Sequence, residues 1–255
     1  MNVLPTLSQV ELEQREHFDK LADDFEAYYD DAWSHAYRDQ FIYRKLFNNI
    51  PLGDKEVLEA MCGSGQTTYF LMQRGGRVTG LDISPELIRR FRNKWPQAHA
   101  VCASFLSSGL PSDAYDVVVV IGGLHHLHPF VSKAMDEVHR LLRPGGFFCF
   151  AEPHTGSLAD IVRRWWYRRS ALFQSNEGAI DLDALKRANS HRFSFVKEAY
   201  GGNFAFLFIY NALIFGIPLW LRAMIARPLI FLESFIQLFQ TRATSAIVLG
   251  VWQKK

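Results

Sequence analysis

A chain of 255 residues, 49% hydrophobic and 21% charged, can bury one large core and has too much apolar content to be disordered. Its formal net charge of +2 is too weak for a nucleic-acid footprint, so no nucleic-acid partner is expected. Three cysteines, Cys62, Cys102 and Cys149, form no Cys-x-x-Cys pair and make an odd count, which argues against a disulfide framework. The opening MNVLPTLSQVELEQ has no basic stretch followed by an apolar run. The expectation is therefore no secretory signal, reduced core thiols and a cytoplasmic setting.

In chain order, residues 1–54 read as a helical cap. His17 to Asp31 is helix-compatible, a second helix runs from about His35 to Asn49, and Pro51 and Gly53 punctuate the entry to a strand. Val57 to Thr68 is an apolar run carrying Glu59 that breaks into Gly63-Ser64-Gly65 and then enters a helix. Arg77 to Ser84 is a second apolar run, and it ends in Asp82. Strand, glycine turn, helix, strand, acid is the nucleotide-binding half of an open α/β sheet. Gly63 and Gly65 would let backbone approach a ligand. Asp82, at a strand's carboxyl end, can accept hydrogen bonds from both ribose hydroxyls. The third glycine of a dinucleotide fingerprint is replaced by Thr68, and Glu59 would repel phosphate but attract an ammonium.

Farther along, Val117 to Ile121 reads as a buried parallel strand opening into Gly122-Gly123 and the histidines His125, His126 and His128. Arg140 to Pro153 reads as a helix end, a Pro-Gly-Gly turn and a fifth strand. Gly156 to Phe173 reads as a helix with Arg163, Arg164, Arg168 and Arg169 around Trp165, Trp166 and Tyr167. That pattern suits a membrane interface or a phosphorylated acceptor, and equally a solvated basic face. Ile180 to Ala188 reads as a short helix, and Phe193 to Tyr200 and Ala243 to Gln253 alternate like strands. Tyr200 to Leu221 carries no charge and is long enough to span a membrane. Yet Gly201, Gly202, Gly216 and Pro218 interrupt it, and a second apolar segment, Pro228 to Gln240, follows Arg222 and Arg227. A single crossing would also strand the last β segment on the wrong side. The expectation for 201–241 is a paired-helix insert that leaves and returns. It would serve as an apolar lid with membrane or lipid contact, as a homodimer interface, or as core packing.

These motifs, in this order over roughly Glu56 to Pro153, resemble the class I S-adenosylmethionine-dependent methyltransferases. Glu59, Gly63 and Gly65 match the first motif, acid-x-Gly-x-Gly-x-Gly, with Met61 standing where the family usually has its first glycine. Phe18, Asp19 and Ala22 match the entry helix of small-molecule methyltransferases, with Phe25 and Glu26 where Tyr and Asp are usual. The resemblance implies an α/β fold: a Rossmann-like, doubly wound seven-stranded sheet with an antiparallel last strand. Its core would cover 55–200, with an insert at 156–190, and its last strand would lie in 242–255. The resemblance also implies S-adenosyl-L-methionine as cofactor. Glu59, Ala60, Met61, Cys62, Gly63 and Gly65 would hold it at the first turn, with Asp82 and Ile83 after the second strand. Ser104 and Phe105 would stand beside the adenine, where the family often has Gly-Asp-Ala, and Ile121, Gly122 and Gly123 would close the floor. The entry helix folds over the cofactor in the family, so Tyr28 or Tyr29 would cap the sulfonium or the acceptor. On their own, these aromatics read equally as packing.

Methyl transfer to a hydroxyl needs a general base that works near neutrality. His125 and His126 lie just past the fourth strand's carboxyl end, where ligands bind in such sheets, and His154 is a further candidate. Several sugar and natural-product O-methyltransferases use a histidine in this Leu-His-His-Leu position, which puts His125 first. Each lone histidine also reads as structural. Adjacent histidines are expected to point different ways with no acid completing a site, so no metal is expected. No Asn-Pro-Pro-Tyr-like element follows the fourth strand, so base or amide N-methylation is not indicated. The apolar insert and the Arg/Trp helix point to a small-molecule or lipid-linked acceptor, such as a glycolipid, with the protein peripheral to a membrane's inner face. Two alternatives stand. One is a soluble sugar or natural-product O- or C-methyltransferase that dimerises through the insert. The other is a cofactor-binding scaffold without transfer.

Overall fold

Five apolar runs rich in Val, Leu and Phe, each flanked by turn residues, pair side by side as parallel strands. The computed structural model describes residues 8–167 and 178–255. The parallel strands are β1 (Glu56–Ala60), β2 (Arg77–Asp82), β3 (His99–Cys102), β4 (Tyr115–Ile121) and β5 (Leu142–Pro153). β6 (Phe193–Gly201) and β7 (Ile247–Lys254) complete one seven-stranded sheet in the order β3-β2-β1-β4-β5-β7-β6. β7 runs antiparallel to both of its neighbours, as expected. The order reverses between β1 and β4, and such a reversal leaves a crevice outside the strands' carboxyl ends.

Side chains alternate across the sheet. Val117 and Val119 of β4 join a core layer with Val57, Tyr43, Phe47, Leu71 and Val251, and with Ile209 and Ala226 of the insert. Val118 and Val120 join the opposite layer with Leu58, Leu81, Met135, Val138, Phe148 and Trp252. Fully burying each such side chain contributes about 1.5–3 kcal/mol.

Around the sheet lie α1 (Gln9–Tyr29), α2 (Ala32–Arg38), α3 (Arg44–Phe47), α4 (Thr68–Gln73), α5 (Pro85–Lys94), α6 (Val131–Leu141), α7 (Leu158–Tyr167), α8 (Leu182–Asn189) and α9 (Leu219–Ile236). A π-helical turn, Asp39–Tyr43, joins α2 to α3. α1 begins well before the expected His17 because Ser8 and Glu11 form a capping box. Ser8 N donates to the Glu11 carboxylate at 2.8 Å while Glu11 N donates back to Ser8 Oγ. Asp31 separates α1 from α2 by capping the latter, accepting from Ser34 N at 2.8 Å. In the Arg/Trp segment, residues 168–177, with Arg168, Arg169 and Phe173, lie outside the described residues, as do the side chains of Trp165, Trp166 and Tyr167.

Two boundaries differ from expectation. β7 starts at Ile247 rather than Ala243, because Arg242–Thr244 closes as a 3-10 turn capped by Thr241. The insert does not break between Arg222 and Pro228. It breaks earlier, in turns after the π-helical segment Phe206–Tyr210, and α9 then runs unbroken through Arg222, Arg227 and Pro228. Arg222 is buried, ion-paired with Asp31, and its Nη1 donates to the Tyr28 carbonyl at 2.7 Å. A half-buried acidic partner compensates the buried charge, and tertiary packing tolerates the hydrogen bond lost at Pro228.

Candidate active site

A cavity of about 480 Å³ opens at the switch point, an ordinary size for a small-molecule cleft. Its floor is the loop after β1. Glu59 is buried, and its carboxylate accepts from Thr67 N at 3.0 Å and Thr68 Oγ1 at 2.5 Å. Thr67 and Thr68 form the N-terminus of α4, the spot where a dinucleotide's phosphate would sit. Glu59 already fills that anion site. Burial pushes its carboxyl up to about 7.

Met61 has φ +55°, the left-handed conformation that a glycine adopts freely. The turn expected of the missing family glycine is therefore kept, at a strain of about 1–2 kcal/mol. Gly63 is also left-handed and lines the cavity. Asp82 closes the turn: its two carboxylate oxygens accept from Gly63 N and Ser84 N, each at 2.9 Å. It is buried, burial raises its pKa, and each oxygen keeps a lone pair for a ligand hydroxyl.

Ala60, Met61, Cys62, Ile83, Ser104, Phe105, Ile121, Gly122 and Gly123 all line the same cavity. Ser104 Oγ donates to Glu11 of α1 and accepts from Leu106 N at 3.1 Å. Glu11 also lines the cavity, so the polar group expected of Ser104 there is shared with a residue that sequence reasoning missed. α1 lies across the opening with Gln14, Phe18, Leu21, Phe25 and Tyr29. Their spacing of three, four and seven is the signal that could have placed this face.

Past β4, Gly123 N and Leu124 N donate to one oxygen of Glu152, at 2.7 and 2.8 Å. The other oxygen lies 2.8 Å from His125 Nδ1. Glu152 sits at the end of β5 and is 0% exposed. His125 and His126 both line the cavity. Their rings lie 3.9 Å apart at 37°, so they do not point different ways as expected. The 3-10 turn Leu124–Leu127 brings them together. Phe18 meets His126 edge-on at 5.2 Å. Among the described residues, no group of three or more His, Cys, Asp or Glu side chains converges as a metal site.

Three expected site residues lie elsewhere. His154 is fully buried behind the cavity wall, with Nδ1 3.0 Å from the Thr155 carbonyl and Nε2 2.7 Å from Ser245 Oγ. The end of β5 turns it toward the Ser245 loop and away from the ligand space. Gly65 leaves room for protein rather than ligand: a Cβ there would come 2.4 Å from Trp95 Nε1. Tyr28 faces away from the cavity, with the Arg222 guanidinium 5.4 Å over its ring. Helix phase gives the cavity to Tyr29, whose hydroxyl is 3.3 Å from Asn211 Oδ1.

The outer half of the cavity is apolar. Phe206, Leu207, Tyr210, Leu213, Ile214 and Phe215 of the insert form it with Ala246, Ile247 and Val162. Polar groups there are few: Asn211, Arg38, and Arg163, which is paired with Asp160 at 2.7 Å.

Fold and site define an open α/β domain whose cleft lies at the switch point, with the helix terminus there already held by a carboxylate. Residues 58–150 match the family model described as a methyltransferase domain. An uncharacterized methyltransferase of Synechocystis sp. is 35% identical over 120 residues, covering 44% of this chain and 56% of that protein. The phthiotriol/phenolphthiotriol dimycocerosates methyltransferase of Mycobacterium tuberculosis is 30% identical over 115 residues, covering 44% of this chain and 42% of that protein. The chain thus spans about half the length of the curated relatives it matches. The crystal structure of magnesium protoporphyrin IX methyltransferase from Synechocystis with bound S-adenosylhomocysteine superimposes with a TM-score of 0.64 at 14% identity. The overlap takes in 97% of this chain and 100% of that one, and at this identity the likeness is one of fold.

Residues 58–150 therefore match a methyltransferase domain, on a fold shared with a methyltransferase that holds S-adenosylhomocysteine. The residues fit that group. The helix terminus that would need a phosphate is occupied by Glu59, and the buried Asp82 carboxylate retains acceptor capacity for a ribose.

Proposed function

We propose that the chain transfers a methyl group to a hydroxyl of a hydrophobic acceptor, lipid-linked or glycolipid-like, with His125 as general base. The observation that carries this reading is the contact between His125 and the buried Glu152 in the cavity wall. S-adenosylmethionine supplies an electrophilic methyl on a sulfonium. Asp82 holds the ribose; Ile83, Ser104 and Phe105 flank the adenine; and Met61, Gly63 and Glu59 receive the amino-acid end.

Nδ1–H of His125 donates to Glu152, which puts the ring's lone pair on Nε2. Nε2 takes the acceptor's hydroxyl proton as its oxygen bonds the methyl carbon and the carbon–sulfur bond breaks. Glu152 stabilises the imidazolium so formed. The tilted ring of His126 packs against His125, and the edge of Phe18 in turn backs His126. The apolar half of the cavity excludes water and takes the acceptor's hydrocarbon. The relative named for phthiotriol substrates supports a hydroxyl on a lipid.

His125→Ala tests the assignment. Turnover should fall by about 10²–10⁴ with cofactor affinity unchanged. Glu152→Gln, which keeps the shape but offers Nδ1–H no charge, should lower kcat by about 10–100-fold with little change in KM. Wild-type turnover in His125→Ala would sink the base.

A further inference from the structure

α9 is built inside out. Its charged residues Arg222 and Glu233 are 0% exposed and turned into the protein. Arg222 pairs with Asp31, and Glu233 accepts from Asn203 N at 2.8 Å and Ala205 N at 3.0 Å. The opposite face carries Trp220, Met224, Phe231 and Phe235, exposed by 66%, 70%, 79% and 59%. These positions fall on one stripe of a helix, about 24 Å long at 1.5 Å per residue. A stripe this apolar calls for an apolar medium outside it.

Charge says which medium. Arg222, Arg227 and Glu233 are the ionised groups of α9, and Arg227 alone faces outward with the stripe. Among the described residues it has no hydrogen bond or ion pair. Two copies packed stripe to stripe would bury this cation in each subunit against a face that holds no acid. A bilayer meets it with phosphate headgroups, to which an arginine reaches while its stem lies in hydrocarbon. Trp220, near the start of the helix, suits the same boundary. No helix among the described residues is long and apolar enough to cross a membrane, so the fitting posture is to lie on one. Phe215, which lines the cavity and is exposed, lies four residues before α9 in the chain.

We propose that the outer face of α9 docks on an anionic lipid bilayer and that the acceptor enters the cavity from that surface past Phe215. The entry step rests on the outer cavity being the acceptor site; the docking does not. Flotation with vesicles of phosphatidylcholine and phosphatidylglycerol tests it, beside vesicles of phosphatidylcholine alone. The wild type should float with the mixed vesicles. Trp220→Glu with Phe231→Glu should cut the bound fraction by about tenfold or more, with cofactor binding by calorimetry confirming the fold. Arg227→Gln should lose the preference for the anionic vesicles. Wild-type protein left at the bottom of the gradient with both vesicle types would overturn the docking. So would a detergent-free dimer that the double variant dissociates and that binds neither vesicle, since the face would then belong to a second copy. Flotation is read without turnover, so its failure leaves methyl transfer standing, and loss of transfer with intact flotation does the reverse.

Discussion

The two halves of the cavity follow different rules. The cofactor half is made of strand ends and their loops, within residues 58–123, and its polar groups are locked by backbone: Glu59 by the start of α4, Asp82 by Gly63 and Ser84. The outer half, proposed for the acceptor, is made of side chains from α1, residues 206–215 and the start of β7, brought together over the sheet with few polar groups. Local geometry defines the first; long-range packing defines the second. A site of the first kind is stable in design and readable. One of the second kind is free to take many acceptors on the same fold.

Substitutions can break this comparison. Asp82→Ala removes a buried carboxylate from the cofactor half and should weaken S-adenosylmethionine binding by about 10–100-fold by calorimetry, with no effect on vesicle binding. An unchanged affinity would take the ribose away from Asp82.

Glu59→Gln separates stability from binding. Burial raises the Glu59 carboxyl from 4.5 to about 7, so the folded chain holds this proton more tightly than the unfolded one. The stability this contributes is full below about pH 4.5 and is lost as pH rises through about 7, an effect of about 3 kcal/mol at most. Denaturant melts of the wild type and Glu59→Gln should diverge across that window, the variant being as stable or more so at pH 8 while binding cofactor more weakly. Parallel pH profiles would show that Glu59 does not titrate there.

The smallest effect on catalysis belongs to His154→Gln, because the ring lies behind the cavity wall. Turnover should stay within about twofold. The lost Ser245 contact should cost about 1 kcal/mol, seen as a small drop in Tm.

Legibility in the sequence follows the same division. The strand–turn–helix–strand–acid order was readable because the chemistry sits on consecutive residues, and the sheet followed from apolar runs of strand length. Met61 kept the glycine's conformation, which no residue type announces. Glu152 was not readable: it is an acid at a strand end like others, and its role comes from pairing with a histidine 27 positions away. Tyr29 over Tyr28 is a matter of helix phase, which two adjacent tyrosines do not reveal. Gly65 was misassigned because a small residue near a ligand and one beneath a tryptophan look alike in sequence. The insert's break differs because Arg222, a charge between two apolar segments, is held inside α9 by Asp31, far away in sequence.

Methyl transfer to a hydrophobic acceptor is the step on which the proposed function depends. Methyl-labelled S-adenosylmethionine, incubated with the protein and a cell extract and then partitioned between organic and aqueous phases, measures it. The proposed function predicts label in the organic phase, lost in His125→Ala. Label confined to the aqueous phase would contradict the hydrophobic acceptor, and label in neither phase would contradict the transfer itself.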